Sequence, residues 1–238
     1  RSGADVVHIS PSHHFPTGTV TPASRRYELL GWAAKQEGRY IIEDEYDSEF
    51  RLVGNPIPAL QSIDASDKVI YMNTFSKSLS STIRISYMVL PIPLMVRYNH
   101  VLSFYACTVS NFDQYTLTRF IQEGYLEKHI NRMRKFYRNS RDRILGCIRS
   151  HRLYPQVTIK EENAGLHFLM EIDTSYTDRE MVDRAAAAGI NISSLSQYCH
   201  GKEQEDSHTL VINYSGIEED IIEEACDRLL ESVVCLTT

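Results

Sequence analysis

The sequence has little that would tie it to a metal, a membrane or a nucleic acid. Its five cysteines (Cys107, Cys147, Cys199, Cys226 and Cys235) are scattered, with no C-x-x-C pair. Neither a zinc site nor a disulfide framework is signalled, and incidental or buried thiols are expected. No apolar run is long enough to span a bilayer and no signal-peptide pattern is present, so no membrane partner and a cytoplasmic location are expected. Basic residues are not in surplus: the net charge is −6, which argues against nucleic-acid binding through the overall field. Internal repeats and low-complexity tracts are absent too. What remains is a chain of 238 residues, 42% hydrophobic, which is enough to bury a sizeable core as one large or two smaller domains.

The most informative segment is Thr74-Phe75-Ser76-Lys77-Ser78-Leu79-Ser80-Ser81-Thr82-Ile83-Arg84. It follows the apolar run Val69-Ile70-Tyr71-Met72, so Lys77 is expected at a strand end, among hydroxyls, with a guanidinium seven positions on. Like charge and partial burial disfavour the ammonium form of such a lysine. A partly neutral lysine is nucleophilic enough to form a Schiff base with an aldehyde. Thr74, Ser76 and Arg84 are what a phosphate needs, the arginine holding it by a two-pronged fork. Together these point to a pocket for pyridoxal 5'-phosphate. The plainer alternative is a solvated surface lysine in a serine-rich loop.

A second cluster precedes it by about thirty residues: Glu43-Asp44-Glu45-Tyr46-Asp47-Ser48-Glu49-Phe50-Arg51, at the end of the strand Tyr40-Ile41-Ile42. Pyridoxal phosphate acts as an electron sink only while its pyridine nitrogen is protonated, so a carboxylate must lie against that nitrogen. Asp44 suits that role, and Tyr46 can direct its phenol to the ring oxygen or the Schiff-base nitrogen. Glu43, Glu45 and Glu49 read as a solvated acidic strand end. In an open α/β sheet ligands bind outside the carboxyl ends of parallel strands, where both clusters fall.

Strands alternate with helices along the first part of the chain. A strand at Val6-Val7-His8-Ile9 leads through a Pro/Gly loop to a helix from Pro22 to about Glu37, capped by Thr21 or Thr17. Strands at Tyr40–Ile42, Val69–Met72 and Ile85–Leu90 follow, giving a mixed, mostly parallel sheet. A long helical region then runs from Pro91-Ile92-Pro93 to about His151. Within it, residues 128–143 are basic and interleaved with aromatics. Ile130, Met133, Tyr137 and Ile144 share one face, so a solvated amphipathic linking helix is expected there rather than a nucleic-acid surface. The remainder reads as a small α+β domain: strands at 157–159 and 165–172, a helix from Thr177 to Ala188, a short strand Ile190-Asn191-Ile192, a polar loop from His200 to His208, a strand Leu210–Tyr214 and a closing helix over 218–233. His167 either faces a cleft or is a satisfied strand histidine, and Tyr198 either lines a ligand or is a half-buried edge residue.

The strings His14-Phe15-Pro16-Thr17-Gly18, Ser24-Arg25-Arg26, Glu43 through Arg51 and Thr74 through Arg84, with Leu210-Val211-Ile212-Asn213-Tyr214-Ser215-Gly216 near the end, resemble the aminotransferase-like domain of MocR-type regulators. These are bacterial transcription factors of the GntR superfamily, with a winged-helix head fused to a fold-type-I pyridoxal phosphate domain. The resemblance covers essentially the whole chain, and Tyr46-Asp47-Ser48-Glu49-Phe50-Arg51 is its most specific part. It implies an α/β fold: a partial fold-type-I large domain over 1–140, including the linking helix, and a small α+β domain over 141–238. It implies Lys77 as the Schiff-base lysine, Asp44 on the pyridine nitrogen, Tyr46 on the ring oxygen, and Thr74, Ser76 and Arg84 around the phosphate. The implied function is effector sensing and dimerisation in a homodimeric regulator, responding to a small amine or amino acid and reaching DNA only through a winged helix. A working aminotransferase and a cofactor-free dimerisation domain are the alternatives.

Two departures from that pattern bear on function. The arginine with which the family and its enzyme relatives clamp a substrate carboxylate is matched by Val211, and no arginine lies between Arg184 and Arg228. Slow or no transamination of ordinary amino acids is therefore expected. The winged helix, the glycine-rich phosphate turn and the ring-stacking aromatic have no counterpart in the sequence either. The chain is accordingly expected to be a fragment that holds pyridoxal phosphate weakly on its own.

Overall fold

The computed structural model describes residues 3–54, 57–163, 165–199 and 206–235. Two compact units emerge. One comprises the residues up to His14 together with Thr19–Met133, and the other Phe15–Gly18 together with the residues from Arg134 on.

In the first unit β1 (Val6–Ile9), β2 (Tyr40–Glu45) and β3 (Val69–Thr74) are parallel neighbours in that order. β4 (Ser86–Val89) runs antiparallel beside β3. The crossover from β1 to β2 contains α1 (Ala23–Ala34), as a parallel pair requires. Pro22, not Thr21 or Thr17, occupies the N-cap position in an extended conformation, without a side-chain cap. α1 sets Ala33 against Ile41, Leu60 and Val69, with Ile9, Leu29, Leu30 and Trp32 around them. Burying each large aliphatic of this set contributes roughly 1.5–3 kcal/mol.

Burial along β2 alternates with the strand period of two: Ile41, Glu43 and Glu45 are buried, whereas Tyr40, Ile42 and Asp44 are partly accessible. Glu43 and Glu45 therefore belong to the covered face. The reading of them as a solvated strand end is corrected. A short helix, α2 (Phe75–Ser78), follows β3 directly, with Thr74 as its N-cap accepting from the Ser76 amide.

The long helical region is three helices, α3 (Ile92–Val101), α4 (Asn111–Gln122) and α5 (Tyr125–Ser150). Ser110 caps α4, and the break before α5 falls at Gly124, whose φ of +73° ends a helix cheaply only for glycine. α5 is amphipathic as the sequence indicates: Tyr137, Ile144, Leu145 and Ile148 are buried on one side and most of the arginines are outside.

The second unit holds an antiparallel sheet in the order β5 (Val157–Lys160), β6 (His167–Ile172), β8 (Thr209–Asn213), β7 (Ser193–Ser194). The short strand expected at Ile190–Ile192 lies instead at Ser193–Ser194, because these are the residues in register with Val211 and Leu210. α6 (Asp178–Ala187) begins with a reciprocal Thr177–Glu180 capping box. α7 (Ile222–Val233) buries Ile222, Cys226, Leu229, Leu230 and Val233 at helical spacing. Of the polar loop expected from His200 to His208, residues 200–205 lie outside the described residues.

Candidate functional site

The parallel strands of the first unit end together, Glu45 standing opposite Asn73 and Thr74 opposite Ser86. Asp44 stands opposite Met72, two residues before Thr74, so Asp44 and Thr74 point to the same face from adjacent strands. Asp44 keeps 35% of its side chain accessible and its Oδ2 lies 3.3 Å from Nε2 of His8, an exposed residue on β1.

Beyond Thr74, the hydroxyls are engaged locally. Ser76 Oγ donates to the Ile83 carbonyl (2.8 Å) and accepts from Arg84 Nη1 (3.4 Å). Arg84 is exposed, and its remaining N–H groups have no protein partner among the described residues. Lys77 is likewise exposed and makes no side-chain hydrogen bond among the described residues. The expectation of partial burial for Lys77 is thus corrected: it lies on the outer side of the one-turn helix α2, whereas Ser78 beside it is buried. Arg84 and Ser76 are together, Thr74 and Lys77 flank them within one turn of α2, and Asp44 stands on the adjoining strand with Tyr46 just past its end.

Tyr46 belongs to a group that sequence reasoning did not assemble. Its phenol oxygen lies 3.3 Å from Nδ1 of His13, and that same nitrogen lies 2.8 Å from Oδ2 of Asp47. His13 and Asp47 are both buried. Burial, followed by the charges of Asp47, Asp44 and Glu45, holds the Tyr46 phenol well above the usual tyrosine range. Asp47 was within the motif Tyr46–Arg51 and His13 adjoins His14, so both were in view. Their pairing across 34 positions was not.

Behind this face lies a buried cation. Arg26, 2% exposed, donates from Nε to the Thr21 carbonyl (3.0 Å), from Nη1 to Pro58 (2.8 Å) and from Nη2 to Pro11 (2.8 Å). It ties the Pro11–Thr21 loop to the sheet and faces Glu43 and Glu45. Glu43 accepts from the amides of Leu60 (2.6 Å) and Gln61 (2.9 Å), yet burial still raises its pKa. Burial pushes the Glu45 carboxyl up to about 7, with Ser12 and Arg26 opposing and Glu43 and Asp47 reinforcing the shift.

In the second unit His167 is a satisfied strand histidine. It is buried, its Nε2 lies 3.1 Å from the Pro16 carbonyl, and its ring meets Phe15 edge-on. Val211 is buried in β8 opposite Leu169. It lines, with Phe15, Tyr198, Ile192, Ile221 and Leu229, an apolar concavity of about 460 Å³. Five free cysteines and no cluster of potential metal ligands occur among the described residues, and none of the described helices is long and apolar enough to cross a membrane.

Comparison with known proteins places this geometry. The chain is 41% identical over 226 residues to an uncharacterized HTH-type transcriptional regulator, YdeL of Bacillus subtilis, covering 94% of this chain and 48% of that one. It is 32% identical over 237 residues to the probable rhizopine catabolism regulatory protein MocR of Rhizobium meliloti, covering 99% and 47%. In structure it resembles the kynurenine aminotransferase of Pyrococcus horikoshii, solved with PMP, at a TM-score of 0.83 and 28% identity, covering 96% of this chain and 56% of that one. The chain therefore spans about half the length of the curated relatives it matches, and its architecture is that of the fold-type-I aminotransferases. Residues 4–229 match the aminotransferase class I and II pattern, whose cofactor is pyridoxal 5'-phosphate, and the chain belongs to that family.

Proposed function

We propose that this chain is the effector-binding and dimerisation part of a pyridoxal phosphate-dependent transcriptional regulator, with Lys77 as the residue that holds the cofactor covalently. The observation that carries the reading is the alignment of almost the whole chain with about half of an HTH-type transcriptional regulator and about half of a catabolism regulatory protein. DNA would be reached through a helix-turn-helix segment such as the first of these relatives is named for.

The donor set fits the cofactor. Arg84 offers guanidinium N–H groups that have no partner among the described residues, beside the Ser76 and Thr74 hydroxyls, which suits a phosphate. Lys77 offers a free amine, Asp44 an accessible carboxylate for a ring nitrogen, and Tyr46 a protonated phenol for a ring oxygen. When bound, pyridoxal phosphate supplies an electron sink and a reactive aldehyde for an amine. The residues of this chain would anchor the phosphate, keep the ring nitrogen protonated through Asp44 and donate a hydrogen bond through Tyr46. An effector that favours one of two conformations would then shift their populations by its differential affinity. The apolar exteriors of α3 and α4, with Ile92 71% and Phe112 79% exposed, support association into a homodimer.

A second reading, a working aminotransferase, draws support from the 28%-identical enzyme fold. The buried Val211 weighs against it, since valine cannot fork a substrate carboxylate. The test is the visible absorbance of the cofactor bound to the full-length protein and its fixation by borohydride. Both are expected to vanish in Lys77→Ala, and their persistence there refutes the assignment. Complete turnover of a common amino acid with a keto acid would transfer the choice to the enzyme.

A further inference from the structure

We infer that Asp47 and His13 form a buried positioning dyad that fixes the Tyr46 phenol as an outward hydrogen-bond donor. The inference rests on the reading that Tyr46 faces the cofactor.

The geometry sets the direction of each bond. Asp47 Oδ2 and the Tyr46 phenol oxygen converge on one atom, Nδ1 of His13, at 2.8 and 3.3 Å. With Asp47 Oδ2 taken as the acceptor, the proton of the 2.8 Å bond sits on Nδ1 of His13. That leaves the phenol oxygen as a second acceptor on the same N–H. Its own proton is then directed away from His13, toward an acceptor at the strand ends. Without the carboxylate the arrangement inverts: Nδ1 can lose its proton, and the phenol turns inward to donate to it.

Three further features agree. His13 and Asp47 are buried, so the pair is shielded from competing water. The rings of His13 and Tyr46 lie 6.3 Å apart and tilted, which restrains the phenol from the side. Tyr46 keeps its proton at neutral pH because burial and the neighbouring carboxylates disfavour phenolate. The logic is that of a carboxylate fixing the tautomer of a histidine, which in turn orients a third group. Asp47 and His13 need not touch a ligand themselves.

The test has two arms. In cofactor-free full-length protein, ring ¹⁵N shifts are expected to place a proton on His13 Nδ1 in the wild type and on Nε2 alone in Asp47→Leu. In the cofactor-loaded protein, Tyr46→Phe is expected to displace the visible absorption maximum. Asp47→Leu should displace it in the same direction and raise the cofactor dissociation constant about tenfold, equivalent to about 1.4 kcal/mol. Asp47→Asn, which keeps a neutral acceptor, should give a smaller displacement. In the Tyr46→Phe background Asp47→Leu should add nothing. His13→Phe offers the same comparison if Asp47→Leu does not fold. A proton that stays on Nδ1 in Asp47→Leu, or an effect fully additive with Tyr46→Phe, overturns the dyad. Absence of a cofactor band in the wild type sinks the cofactor reading, while the ¹⁵N arm still decides the dyad.

Discussion

Glu45 is a carboxyl whose charge this fold tolerates poorly, and that makes its stability depend on pH in a definite sense. The carboxyl is 3% exposed, and its Oε1 has no hydrogen-bond partner among the described residues. Burial raises its pKa from 4.5 to about 7. A raised carboxyl means that the folded chain holds the proton more tightly than the unfolded chain. The stability contributed by that proton is fully present below pH 4.5 and is lost as pH rises through about 7. At about 1.36 kcal/mol per pH unit, the whole displacement amounts to roughly 3 kcal/mol. Glu45→Gln keeps the size and hydrogen-bonding shape of the protonated acid but cannot titrate. Urea-unfolding midpoints for both proteins between pH 5 and 8 should therefore diverge, with the wild type losing roughly 2–3 kcal/mol relative to the variant. Glu43 also has a raised pKa, but it is present in both proteins, so the difference between the curves reports Glu45. Parallel curves would refute the reasoning: Glu45 would then be ionised, or hydrated, throughout.

Arg26→Met removes three hydrogen bonds to backbone carbonyls and the buried cation facing Glu43 and Glu45, and is expected to cost about 3–5 kcal/mol in the same urea assay. Thr177→Ala abolishes the capping box of α6 and should cost about 1 kcal/mol, read as a lowered midpoint of thermal unfolding. Gly18 has a φ of +69°, and a Cβ there would meet Glu161 Cβ at 2.7 Å, so Gly18→Ala should cost about 1–3 kcal/mol by denaturant unfolding.

Much of the fold was legible because periodicity carried it. The alternation in β2 and the apolar runs of β1 and β3 mark strands, and the spacing in α7 marks a helix. The misses have local physical causes. Pro22 fits the N-cap position as well as the first helical turn, so the start of α1 could not be fixed from propensity. Ile190–Ile192 has the composition of a strand, but pairing with Leu210 and Val211 selects the two serines that follow. Lys77 was expected to be part-buried because it follows the apolar strand Val69–Met72 at its end. On a single helical turn, however, adjacent residues diverge, and Ser78 takes the buried direction.

The acids of β2 show why part of the site was illegible. From Glu43 to Asp47, along the end of β2 and just past it, burial alternates: Glu43, Glu45 and Asp47 are buried, and Asp44 and Tyr46 remain partly accessible. Reading the string alone, the buried positions of a strand are expected to be apolar, so Glu43 and Glu45, like Glu49, look solvated, and nothing marks Asp47 as buried. Their burial depends on partners outside the string: Arg26 on α1, Ser12 and His13 in the loop after β1, and the Leu60 and Gln61 amides. Two of these, Ser12 and His13, lie on a loop whose path is held by Arg26 through the Pro11 and Thr21 carbonyls. One buried arginine thus permits the acids behind the sheet and also places the histidine that reaches Tyr46 at its end. The same local string supplies both the fold's electrostatic difficulty and the groups left free for chemistry. Separating the two requires the register of the strand, not the identity of its residues.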